Sequence, residues 1–177
     1  MRRISAEYLY DGGSSEPLRN AYVEVADDGT VLAVGKVENP EAEPEFHKGA
    51  IVPGFVNTHC HLELSYLKGK FRKGTGMAGF IDQINEMRDT SSMEEKKADI
   101  AFWMNEMWKR GVTAMGDISN CSDTFECKAD SPMYTRTFLE VFGTEPQDCQ
   151  DVIDNVLELQ KTADKYGIDA APGPHAC

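Results

Sequence analysis

At 177 residues the chain has room for one sizeable domain, or one domain with a small appendage. Its 18 Lys and Arg against 30 Asp and Glu give a formal net charge of −12, which argues against a nucleic-acid partner. No stretch approaches transmembrane length, and Ser5, Glu7 and Asp11 interrupt any export signal behind Arg2-Arg3. The five cysteines include no C-x-x-C pair and read as free thiols of a reducing compartment, so the expected setting is cytoplasmic, away from membranes.

Residues 1–48 read as short strands and turns forming a small β unit. Ala21–Val25 alternates, Asp28-Gly29 is a hairpin signal, and Thr30–Val34 returns. The Pro- and Glu-rich stretch 38–45 is expected to be a linker.

From Gly49 onward the pattern becomes buried strands alternating with amphipathic helices. The first apolar run, 49–58, is broken by Pro53-Gly54 and ends in His59-Cys60-His61. In a strand these two histidines point one way and Cys60 the other. Two imidazoles on one face at a strand end can hold one divalent metal ion. A loop with Gly69, Gly74, Gly76 and Gly79 follows and carries Lys68, Lys70, Arg72 and Lys73. These cations are either solvated or in contact with an anionic substrate.

A helix is expected over 80–88. Ser92 and Glu95 form a capping box for the next helix, whose Ile100, Trp103, Met104, Met107 and Trp108 make a packing stripe before Gly111 ends it. Strands are expected at 112–117 and 137–142. A helix opened by 144–147 places Val152, Val156, Leu159 and Ala163 on one face and stops at Gly167. A last strand, from Ile168, leads into Gly173-Pro174-His175. Strand-helix alternation of this kind predicts parallel strands joined by right-handed crossovers.

Several polar residues stand out. Glu63 either contacts a substrate or salt-bridges across the pocket rim. Glu140 shares a strand face with Phe138 and Phe142, and if that face is interior its carboxylate needs a partner or a metal. Asp117 caps the second strand end or orients a ligand histidine. His175 is either a site residue or a structural histidine in a Pro-rich turn.

Pro53-Gly-Phe-Val-Asn-Thr-His-Cys-His-Leu-Glu63 resembles the first barrel strand of the amidohydrolase superfamily. Gly111-Val-Thr-Ala-Met-Gly-Asp117 and Gly173-Pro-His175 are similar to the second and fourth strands of its deaminase and chlorohydrolase branch, and Leu62-Glu-Leu-Ser65 to aminodeoxyfutalosine deaminase-like members. The resemblance implies an α/β fold. Residues 49–177 would be the first four units of a (β/α)8 TIM barrel, and residues 1–48 part of a small β-sandwich.

By the same resemblance, His59 and His61 are metal ligands and His175 faces a small-molecule substrate; Glu63, two residues beyond His61, is the other candidate substrate contact. The ion is expected to be zinc, with iron(II) or manganese as alternatives. Fourth-strand residues 169–175 contain no lysine, which favours one metal ion. The remaining ligands, a His and an Asp, and the proton-moving Glu and His come from later strands in that branch. The catalytic residues are thus expected beyond residue 177, on a missing C-terminal half or on another copy of the chain. The implied reaction is metal-dependent hydrolytic deamination of an amino-substituted heterocycle or nucleoside-like compound. The alternatives are a two-metal cyclic amide hydrolase using Glu140, and a catalytically silent half-barrel.

Overall fold

The computed structural model describes residues 1–38, 44–143 and 145–175. They form two compact units, Met1–Gly54 and Phe55–Cys177.

In the first unit four strands make one sheet, ordered β3-β2-β1-β4: β1 (Arg2–Leu9), β2 (Ala21–Val25), β3 (Val31–Lys36) and β4 (Glu45–Ile51). The Asp28-Gly29 turn joins β2 to β3 as the sequence predicts, with Gly29 at φ 89°. Across that hairpin the Tyr22 ring lies over Gly35, where a Cβ would stand 2.6 Å from the phenol oxygen. β4 pairs parallel to β1. Most of the expected linker falls on residues 39–43, outside the described residues, and its last residue, Glu45, instead opens β4. The apolar run at 49–58 is therefore divided, with Gly49–Ile51 closing β4, residues 52–54 ending the first unit and residues 55–58 opening the second.

The second unit is a parallel sheet in sequential order: β5 (Phe55–Cys60), β6 (Val112–Ser119), β7 (Tyr134–Val141) and β8 (Asp169–Pro174). Its helices are α1 (Gly76–Met87), α2 (Met93–Lys109), α3 (Phe125–Ala129) and α4 (Cys149–Lys165). α1 starts at Gly76, ahead of the expected Phe80. The capping box forms as predicted: Glu95 N–H donates to Ser92 Oγ (3.2 Å) and Ser92 N–H to Glu95 Oε2 (2.8 Å). Thr144 lies outside the described residues, and a helical turn at Pro146–Asp148 leads into α4.

Alternation along β7 separates two faces. Thr135, Thr137 and Leu139 are buried, whereas Tyr134 and Phe138 are exposed on the other side. The core lies on the helix-covered side. One cluster joins Leu62, Ile100, Met104, Met115 and Met133; the other joins Phe125, Leu139, Val156, Ala163 and Ile168. Side chains as fully buried as Ile100 and Leu139 contribute roughly 1.5–3 kcal/mol each. Trp108 departs from the predicted packing stripe: it is exposed and lines an outer groove with Cys127 and Pro132.

Candidate metal centre

β5 ends at Cys60, and His61 heads a short helical turn, Leu62–Leu67. Asn57 Oδ1 accepts the His59 N–H (3.3 Å), and Asp117 Oδ1 accepts the Leu62 N–H (2.7 Å). The peptides flanking the histidine pair are thus tied from both sides. Cys60 packs into the core beneath α2, opposite the histidines, and burial pushes its thiol up to about 11.

His175, following β8, comes to the same place. Its ring centroid is 5.3 Å from that of His59 and 5.1 Å from that of His61, and the latter two are 5.2 Å apart. One ligand nitrogen from each lies within 4.8 Å of the others. Tetrahedral zinc with bonds of about 2.0–2.1 Å spaces its ligand atoms roughly 3.3 Å apart, a spacing that falls inside the 4.8 Å bound on these nitrogens. Burial, with His175 and His59 adjacent, lowers the His61 imidazole below its ordinary value despite the opposing Glu140 carboxylate. That favours the neutral form in which an imidazole binds metal. The donor set fits a divalent ion.

A polar network extends from the cluster. Glu140 Oε1 meets His175 Nδ1 at 2.6 Å, and Glu140 Oε2 accepts from Asn120 Nδ2 at 2.5 Å. Asn120 donates again through Nδ2 to Glu63 Oε1 (3.1 Å) and through its backbone N–H to Glu63 Oε2 (2.8 Å). The Cys121 thiol also donates to Glu63 (3.2 Å). Glu63 is buried, and desolvation raises its carboxyl despite these donors. Its partners are neutral, in place of the ion pair across a rim that the sequence allowed. Of the alternatives for Glu140, the structure supplies a partner, His175, and both carboxylate oxygens are engaged.

Asp117 does more than end a strand. Its Oδ1 holds Leu62 and its Oδ2 meets Lys128 Nζ at 2.6 Å, with both charged side chains fully buried. Asn120 and Lys128 were not singled out by the sequence. The signal for Asn120 is its place just past the C-terminal end of a parallel strand, where α/β sites form; Lys128 carries none.

No protein-family model matches the chain. An aminodeoxyfutalosine deaminase of Nitratiruptor sp. is 27% identical over 148 residues, covering 80% of this chain and 36% of the relative. A 5-methylthioadenosine/S-adenosylhomocysteine deaminase of Natronomonas pharaonis is 29% identical over 93 residues, covering 52% and 22%. The Helicobacter pylori aminofutalosine deaminase, solved with methylthio-coformycin, superposes with a TM-score of 0.77 at 23% identity, over 99% of this chain and 44% of that one. The resemblance to the amidohydrolase superfamily holds. A zinc complex of atrazine chlorohydrolase from Arthrobacter aurescens shares the fold at a TM-score of 0.72 and 17% identity, over 100% and 47%. The chain therefore spans less than half the length of these relatives.

Proposed function

We propose that the second unit supplies the first four β/α units of a (β/α)8 barrel, and the first unit one layer of the small β-sandwich. The barrel belongs to a metal-dependent hydrolase that deaminates an adenine-nucleoside-like compound. The observation that carries this reading is the convergence of His59, His61 and His175 at the C-terminal ends of β5 and β8. Barrel enzymes place their sites on that face. The names of the curated relatives point to adenine nucleosides as the substrate class, and the zinc-bound neighbours support zinc ahead of iron(II) or manganese.

His59 and His61 hold the ion, with further ligands from strands outside this chain. A bound divalent ion supplies the Lewis acid that makes water nucleophilic at neutral pH. His175 faces the substrate. With Nδ1 occupied by Glu140, its remaining ring nitrogen is left to meet a polar group of the substrate. Asn120 and Glu63 hold Glu140 from behind and shape the substrate rim.

The test uses zinc content and ammonia release from adenosine and 5-methylthioadenosine, measured on this chain and on the native polypeptide purified from its source. His59→Ala with His61→Ala should abolish bound metal. His175→Ala should keep metal in the native polypeptide and lose roughly 10²-fold or more in turnover. Zinc at wild-type stoichiometry in the double variant would overturn the ligand assignment. A zinc-loaded native polypeptide releasing no ammonia from either nucleoside would favour a silent scaffold, and ring opening of a cyclic amide the two-metal alternative.

A further inference from the structure

The least expected side chain in the second unit is Lys128. It lies on α3 with its ammonium fully buried, meeting Asp117 Oδ2 at 2.6 Å and donating to Thr137 Oγ1 at 2.9 Å. Such a pair is costly to bury, and apolar side chains of similar volume in its place are often at least as stable. Stability alone does not account for it. Its geometry does: the other Asp117 oxygen accepts the Leu62 N–H, the first peptide after His61.

Nothing local performs this task. His61 occupies the N-terminal flank of the turn at Leu62–Leu67, with no side-chain cap, and its own φ and ψ of −120° and 75° lie outside the helical range. Asp117 is the β6 residue paired in register with Cys60, so its carboxylate reaches round the strand end to the orphan N–H. Thr137 of β7 holds the Lys128 ammonium, which meets the second Asp117 oxygen as an ion pair without hydrogen-bond alignment.

We infer that Asp117 and Lys128 are positioning residues. The pair anchors the Leu62 amide, and through it sets the direction of the His61 imidazole toward His59 and His175. This rests on the metal reading of the histidine cluster, because the consequence drawn is metal affinity. Partners that orient metal ligands commonly change affinity by about 10–100-fold when removed.

Two double variants separate anchoring from general packing. Asp117→Asn/Lys128→Met removes both charges but keeps an oxygen for the Leu62 amide. Asp117→Leu/Lys128→Met fills the same space without an acceptor. Hydrogen exchange at the Leu62 amide and cobalt(II) binding, followed by its visible absorption, are measured on this chain. The Leu/Met variant should expose the Leu62 amide to exchange and bind cobalt about 10–100-fold more weakly. The Asn/Met variant should keep Leu62 protected and bind close to wild type. The inference is overturned if the Leu/Met variant protects Leu62 or binds cobalt like wild type, or if the Asn/Met variant loses as much. Wild-type chain that takes up no cobalt would show that its own histidines do not hold the ion without the further ligands proposed above, and Leu62 exchange then decides the anchor by itself.

Discussion

Asn120 gives both protons of one amide nitrogen to carboxylates, Glu63 on one side and Glu140 on the other, and its backbone N–H to Glu63 again. The histidine pair was legible in the sequence because its spacing is local. Asn120 was not, because its partners lie 57 and 20 residues away, and neither carboxylate advertises a need for an amide. Glu63 offers a pH test. Burial raises its carboxyl, so the folded chain holds that proton more tightly than the unfolded chain does. The associated stability is complete below the ordinary glutamate value of about 4.3 and is lost as pH rises through the raised one. Glu63→Gln removes the titration. Urea denaturation from acid to neutral pH should therefore show the variant gaining on wild type as pH rises. A stability difference independent of pH would mean that Glu63 titrates alike in both states.

At the scale of elements, β6 and β5 approach one another through Gly116. A Cβ there would stand 2.9 Å from the Thr58 carbonyl oxygen and 3.3 Å from the Phe138 ring. Backbone cannot yield as a side-chain tip can, so Gly116→Ala should push β5 from β6. Overpacking of this kind costs about 1–3 kcal/mol, readable as a lower urea midpoint. Because Thr58 immediately precedes His59, zinc affinity should fall in the same variant. Unchanged stability would show that the sheet yields there freely. The order β5-β6-β7-β8 and helix α2 were legible, since alternation, capping box and terminal glycine all agree. Helix α3 was not. Its five residues are too few to display helical periodicity, and it is held by Phe125 and Lys128, buried through tertiary contacts alone.

For the whole molecule, strand count and edges matter most. β5 and β8 each pair on one side only among the described residues. In the proposed barrel each would find a further strand as its neighbour. The two edges are unequal. β8 carries Pro172 and Pro174, which lack N–H groups and blunt it, whereas β5 presents Phe55 and Val56, 59% and 61% exposed. The face opposite the helices also carries exposed Tyr134 and Phe138. An apolar, unblunted edge beside an uncovered apolar face favours pairing with another chain. This 177-residue chain should therefore self-associate when isolated, with light scattering giving masses well above a monomer. Val56→Lys, a charge on the open edge, should reduce that association. A monomer at high concentration would show that β5 is already satisfied and that the second unit needs no further strands to close its sheet.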